Sequence, residues 1–309
     1  MTIQDLDAAS PWATLLERYP LRECACGTRI VAYRESGADS AMRNRETGAH
    51  AHASLPLVLL HGIGSGAASW LQQIDALGAR HRVLAWDAPG YGLSSPVPSV
   101  SPVAADYAAV CSAWLDALGI ERCILVGHSL GAIMAASLAA AQPSRVAGLL
   151  LLSPASGYGT ADPQIRIAKR DNRIAMIDLL GPEGMAEQRS HNMLSAHAVE
   201  SARDWVRWNM ARVVPAGYRQ ATHLLANADL LADLACYRGP ISVAVGSDDT
   251  ITPPQACERV ARGAGVELQR IPDAGHAGYV EAPQRYNAVI AEFCRVLEVQ
   301  GTEAQGVDA

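Results

Sequence analysis

One short stretch constrains this chain more than any other. The apolar run Cys123-Ile124-Leu125-Val126 passes directly into Gly127-His128-Ser129-Leu130-Gly131, and the helix-prone segment Ala132-Ile133-Met134-Ala135-Ala136-Ser137-Leu138 follows at once. A G-x-S-x-G between a strand and a helix puts its serine on a sharp, strained turn, with the hydroxyl presented at the end of the strand. Side chains at the flanking glycines would collide with neighbouring elements. The helix that follows points its N-terminal dipole at the serine, which favours negative charge developing there.

The rest of the chain keeps this strand–helix rhythm. Apolar runs recur at Leu57–Leu60, Arg82–Trp86, Leu149–Leu152 and Ile241–Val245. Behind Ser101-Pro102, which reads as a cap with proline at the first helical position, Tyr107, Val110, Cys111, Trp114, Leu115 and Leu118 recur at helical spacing. Tyr286, Val289, Ile290, Phe293, Cys294 and Leu297 repeat that spacing near the end. Apolar strands alternating with amphipathic helices predict an α/β fold, a mostly parallel twisted sheet flanked by helices on both faces.

Two segments break the rhythm. Gly37–Ser54 is polar and reads as a surface excursion near an early hairpin. Residues 159–226 carry helical patterns without an apolar strand, which predicts a helical lid inserted between two core segments, 1–158 and 227–298. Residues 299–309 read as a polar, frayed tail.

Composition narrows the classes further. With 50% hydrophobic and 18% charged residues, the chain has enough apolar material to bury a large core, so disorder is excluded as its main state. A net charge of -6 gives no general footprint for nucleic acid or an anionic membrane. The longest charge-free apolar stretch, Cys123–Ser144, is broken by Gly127, His128, Ser129, Gly131 and Pro143, so it reads as strand, turn and helix rather than a membrane span. Asp5 and Asp7 stand where a signal peptide would carry basic residues. Seven cysteines without a paired C-x-x-C set predict reduced thiols and a cytoplasmic protein.

A serine hydroxyl is a poor nucleophile without a base. Of the nine histidines, only His276, in Pro272-Asp273-Ala274-Gly275-His276, lies beyond the last apolar strand run. After an elbow of this kind the acid and then the histidine follow the serine along the chain. The segment Gly246-Ser247-Asp248-Asp249-Thr250-Ile251-Thr252-Pro253 offers two adjacent carboxylates, whose side chains point different ways, and Asp273 is a third candidate. For an oxyanion, Leu57–Leu60 enters the turn His61-Gly62-Ile63-Gly64, where the N–H of Ile63 would pair with that of Leu130. Gly62-Ile63-Gly64-Ser65-Gly66 with Asp87 at the next strand end also suggests a dinucleotide site, but the spacing is not G-x-G-x-x-G. The histidines show no recognised ligand spacing, so neither a metal nor a cofactor is expected.

Together these motifs resemble the α/β-hydrolases of the single-domain, helical-lid type, from about Leu55 to Leu297. The resemblance is carried by the H-G-x-G turn with Trp70 further on, by Asp87-Ala88-Pro89-Gly90-Tyr91-Gly92-Leu93-Ser94, and by the elbow. The G-x-x-D-x-I-x-P loop and the G-H loop followed by Glu281 and Pro283 complete it. It implies a triad of Ser129, Asp249 and His276, choosing Asp249 over Asp248 as the aspartate three residues after the glycine. It also implies oxyanion amides at Ile63 and Leu130, and structural roles for His61, Trp70, Asp87 and Gly90. The similar groups are carboxylesterases, enol-lactonases and hydrolases of carbon–carbon bonds in ring-cleavage products. The last usually carry asparagine before and methionine after the nucleophile, where this chain has His128 and Leu130. A haloalkane dehalogenase would need aspartate at position 129.

The expected activity is therefore hydrolysis of a small-molecule ester or lactone through an acyl-enzyme on Ser129. A carbon–carbon hydrolase and a ligand-sensing homologue with little turnover are the alternatives. The expected partner is the small-molecule substrate, with no nucleic acid and no membrane. Trp205, Trp208, Met193, Leu194 and Met210 are candidates to line an acyl pocket, although the spacing of the two tryptophans also suits packing within the lid. Gly159–Arg219 carries a net charge of +2 against -8 elsewhere, which makes a lid arginine a candidate for a substrate carboxylate.

Overall fold

The computed structural model describes residues 11–36 and 54–306, with side chains described to Val299, so that Gly37–Ala53 of the polar excursion lie outside the described residues. Helix α1 (Pro11–Arg18) precedes a hairpin of β1 (Arg22–Cys26) and β2 (Arg29–Ser36). Then come β3 (Leu57–Leu60), a 3-10 turn (Ala67–Trp70) running into α2 (Leu71–Leu77), β4 (Val83–Trp86), α3 (Ala104–Ala117), β5 (Cys123–His128), α4 (Leu130–Ala141) and β6 (Val146–Leu152).

The helices α5 (Pro163–Arg189), α6 (Glu200–Met210), α7 (Pro215–Asn227) and α8 (Leu230–Cys236) separate β6 from β7 (Ile241–Gly246). The chain closes with α9 (Pro254–Gly263), β8 (Leu268–Ile271), the single turn α10 (Gly278–Glu281) and α11 (Pro283–Gly306). Helix α5 is not continuous. It bends at Gly181-Pro182, where Gly181 takes a φ of 65° and the proline cannot donate to the helical ladder.

The sheet has eight strands in the order β1-β2-β4-β3-β5-β6-β7-β8. β2 is antiparallel to both its neighbours, and the remaining pairs are parallel. This is the mostly parallel sheet that the apolar runs predict. β3, β4, β5 and β6 are buried along their whole length because helices cover both faces.

Alternate residues of one strand feed different cores, as the two-residue side-chain period requires. Val58, Leu60, Leu84 and Trp86 join Trp114 and Ile133 on one side, while Leu57, Leu59, Val83 and Ala85 join Trp70, Ile290 and Phe293 on the other. The periodic residues of α3 and α11 supply these cores. Tyr107, Val110, Cys111, Trp114 and Leu115 are buried, as are Tyr286, Val289, Ile290, Phe293, Cys294 and Leu297.

Three boundaries depart from the sequence reading. Helix α3 starts at Ala104, two residues after the expected proline, because the Asp106 carboxylate accepts from the Val103 N–H at 2.9 Å and sets the first turn there. Helix α11 continues past Val299 to Gly306, where the sequence read as a frayed tail. Glu303, Ala304 and Gln305 favour helix, and one glycine at 301 costs only about 1 kcal/mol. β8 was not visible as an apolar run, because Gln269 and Arg270 are exposed on an edge strand.

Candidate active site

The strands that carry the chemistry end on the same side of the sheet, at their C-terminal ends, where open α/β sheets place their sites. β3 leads to Ile63, β5 to Ser129, β7 to Asp249 and β8 to His276. Ser129 has φ 53° and ψ −114°, a conformation L residues rarely hold, so the elbow is strained as its motif requires. A methyl group added at Gly131 would stand 2.1 Å from the carbonyl oxygen of Leu60, and one at Gly127 would stand 2.5 Å from that of Gly131. The two glycines are therefore imposed by the close approach of β3 and by the elbow's own backbone.

Asp249 and His276 meet in the interior, with side chains 0% and 2% exposed. The imidazole Nδ1 donates to Asp249 Oδ2 at 2.9 Å. The other carboxylate oxygen, Oδ1, accepts from the backbone N–H of Ile251 at 2.8 Å and of Thr252 at 2.9 Å, and the Thr252 hydroxyl donates to Oδ2 at 2.9 Å. Burial pushes the Asp249 carboxyl up. The charge and hydrogen bond of His276, with the amide of Thr252, outweigh it and hold the carboxyl at about 2. Asp248, by contrast, is exposed and, among the described residues, accepts only from the neighbouring Ser247 hydroxyl. Asp273 is exposed beside Arg285. Of the three aspartates the sequence left open, only Asp249 reaches the histidine.

Ser129 and His276 border one cavity of about 230 Å³, which Ile63 and Leu130 also line. No hydrogen bond joins the Ser129 hydroxyl to the imidazole in this structure. The serine's described bonds run through its backbone, from its N–H to Leu152 and to its carbonyl from Ala132 and Ala155. Among the described residues no group accepts from the N–H of Ile63 or Leu130, so both remain available to a ligand. Tyr91 donates its hydroxyl to the Ile63 carbonyl at 2.8 Å and steadies that turn.

His61, Trp70 and Asp87 do support the site. His61 Nδ1 donates to the Gly62 carbonyl at 2.8 Å, and its Nε2 accepts from the Ala88 N–H at 3.0 Å. Burial lowers its pKa, in keeping with this neutral tautomer. Asp87 accepts from the Ala67 N–H, and Trp70 stacks on Tyr279 at 4.1 Å.

The contacts of two residues, His128 and Glu281, are not legible in the sequence. His128, next to the serine in the chain, lies beside His276. Its ring lies 4.7 Å from that of His276, and its Nε2–H donates to the His276 carbonyl at 2.8 Å, tying the elbow to the histidine loop. Burial lowers the His128 pKa to about 3, so it stays neutral beside His276. Glu281 accepts from the Gly275 N–H and from the N–H and hydroxyl of Ser195, clamping that loop to the segment before α6. These are contacts between residues distant in sequence, which no local pattern announces.

The pocket candidates divide. Met193 and Met210 line the cavity, joined by Met185, Arg173 and Arg189. Trp205 and Trp208 do not. Trp205 is fully buried between Trp12 and Trp208, with ring centroids 4.4 and 4.6 Å away, and Arg212 covers Trp208 at 3.6 Å. Their three-residue spacing serves a stack anchored on α1 rather than an acyl pocket. Leu194 is also buried away from the cavity.

Among the described residues no group of three or more His, Cys, Asp or Glu side chains is placed to hold a metal ion, and no helix is long and apolar enough to cross a membrane.

Comparison with known proteins bears on the family and the fold. The chain is 33% identical over 257 residues to the protein named "Putative carbamate hydrolase RutD" from Variovorax paradoxus (strain S110), covering 80% of this chain and 94% of that one. It is 28% identical over 277 residues to the human (lyso)-N-acylphosphatidylethanolamine lipase, covering 77% and 79%. In fold it is similar to a thermophilic esterase from Thermogutta terrifontis, with a TM-score of 0.75 and 24% identity over 90% of this chain and 98% of that one. The enol-lactonase from Burkholderia xenovorans LB400 superposes with a TM-score of 0.75 at 22% identity, over 88% and 99%. Residues 57–289 match the Alpha/beta hydrolase family as a whole. With that match and the eight-stranded sheet, the chain belongs to the alpha/beta hydrolase family.

Proposed function

We propose that this hydrolase cleaves the ester or lactone bond of a small molecule through an acyl-enzyme on Ser129. The observation that carries the reading is the convergence, at one cavity, of a serine on a strained elbow, a buried Asp249–His276 pair and two backbone amides that no described residue accepts from. In this mechanism Ser129 attacks the carbonyl while His276 takes its proton at Nε2. Asp249 holds the Nδ1–H and stabilises the imidazolium. The Ile63 and Leu130 amides receive the charge that develops on the carbonyl oxygen, a task that pre-set donors perform without reorganisation. Protonated His276 then protonates the leaving alkoxide, and in the second half it deprotonates the water that attacks the acyl-enzyme.

Residues 159–226 act as a lid in this reading, since Arg173, Met185, Met193 and Met210 from that segment border the same cavity as Ser129. One relative bears the name of a carbamate hydrolase, and a carbamate carbonyl is open to the same attack by Ser129, so carbamates belong beside esters and lactones in a substrate panel.

The test is turnover of short p-nitrophenyl esters and small lactones, with labelling by a fluorophosphonate. The wild-type protein should turn over at least one ester and lose activity in proportion to labelling, and Ser129→Ala should lose both by several orders of magnitude. Rapid labelling without turnover would favour a ligand sensor. Full activity in Ser129→Ala would end the proposal.

A further inference from the structure

Two arginines stand in the wall of the cavity beside Ser129. Arg173 and Arg189, both from α5, border it, and among the described residues no aspartate or glutamate does. Other arginines of the same segment have anionic partners: Arg170 pairs with Asp171, Arg203 with Glu200, Arg207 with Asp204 and Glu187, and Arg219 with Asp178. Among the described residues neither cavity arginine makes an ion pair. Arg189 donates to the Met176 sulfur at 3.7 Å, and Arg173 lies among the hydroxyls of Tyr158 and Tyr218. Its charge also acts on Tyr91, the residue whose hydroxyl holds the Ile63 carbonyl.

Both residues are half-buried. Withdrawing a cation from water without an anion is costly, and neutral phenols satisfy its hydrogen bonds without neutralising its charge. A guanidinium also presents a planar fork of donors that matches the two oxygens of a carboxylate.

We propose that Arg173, with Arg189 in the same wall, is a carboxylate-binding site, so that the preferred substrate is an ester or lactone carrying a free carboxylate. This rests on the reading of Ser129 as the hydrolytic nucleophile. Arg173 is a specificity residue here, and the bond-breaking steps are unchanged.

The experiment compares two isosteric pairs, in which a carboxylate is replaced by an isopropyl group. They are p-nitrophenyl hydrogen adipate against p-nitrophenyl 6-methylheptanoate, and 4-butyryloxybenzoate against 4-isopropylphenyl butyrate. Arg173→Gln should lower kcat/KM for the acid in at least one pair by about 10- to 100-fold, mostly through KM, as expected on losing a charge-assisted hydrogen bond. The isostere should stay within about threefold, labelling of Ser129 should be unchanged, and Arg173→Lys should recover part of the loss. Equal losses on both members of each pair, or none, would overturn the proposal.

A binding measurement separates this from failure of the hydrolase reading. Adipate or 4-hydroxybenzoate should raise the Tm of Ser129→Ala but not of Ser129→Ala/Arg173→Gln. Were no ester hydrolysed at all, the nucleophile assignment would fall, and the Tm shifts alone would decide the carboxylate site. Equal shifts, or none, would refute it.

Discussion

Replacing Asp249 by asparagine tests the geometry at its most specific point. In the native site Oδ1 accepts two backbone N–H groups, from Ile251 and Thr252, and Oδ2 accepts from His276 Nδ1. An asparagine has one oxygen and one NH2. Turning the NH2 toward the two amides would oppose donors to donors, so the oxygen stays there and the NH2 faces the imidazole. Nδ1 must then become an acceptor, and the proton moves to Nε2, the atom that has to take the proton from Ser129.

Asp249→Asn should therefore lower kcat at pH 7 on the order of 10³- to 10⁴-fold while leaving KM nearly unchanged, the consequence of a wrong tautomer. The two amides would keep an acceptor but lose its charge, for a stability loss of about 1.5–3 kcal/mol. Steady-state kinetics on a p-nitrophenyl ester and a urea melt measure the two effects. Asp248→Asn is the control, since that side chain is exposed and accepts from the neighbouring Ser247 hydroxyl rather than from the histidine, and it should stay within about twofold of wild type. An Asp249→Asn protein within tenfold of wild-type kcat, or an Asp248→Asn protein that matches its loss, would refute the argument.

Other outcomes follow from the same contacts. Gly131→Ala would drive a methyl group to 2.1 Å from the Leu60 carbonyl oxygen, so it should cost at least about 1–3 kcal/mol and lower the Tm. Trp205→Ala removes the centre of the three-tryptophan stack and should cost about 3–5 kcal/mol, while KM for a short ester, measured well below the melting range, stays near wild type. A selective rise in KM would instead return Trp205 to the pocket. Asp249 titrates at about 2 in the folded chain against an ordinary 3.8, so the unfolded chain binds the proton more readily. That stabilisation, about 2 kcal/mol, is present above pH 5 and should be lost as the pH falls toward 2, giving wild type a steeper acid limb than Asp249→Asn in chemical melts.

Local chemistry made the elbow legible without coordinates. A strand, two glycines around a serine and a helix-prone run are neighbours in the chain, and the collisions that demand glycine arise largely within the same turn and the strand beside it. The buried parallel strands and the amphipathic helices α3 and α11 were legible for a related reason, because burial on a regular backbone leaves a periodic imprint. His276 followed from chain order after the elbow. The choice between Asp248 and Asp249 did not follow from the residues alone. Adjacent side chains leave a turn in different directions, and which one faces inward depends on where β7 and β8 deliver their loops.

Tertiary structure alone decided the contents of the cavity wall. Trp205 is stacked on Trp12, 193 positions earlier in the chain. Arg173 borders the cavity although its charged neighbour on the same helix, Arg170, pairs outward with Asp171. Helical periodicity records that a face is buried but not what it is buried against, since that is set by how α5, α6 and α7 dock on the sheet. The sequence therefore determined the reactive turn and its supporting sheet, while docking of the intervening helices determined what surrounds it.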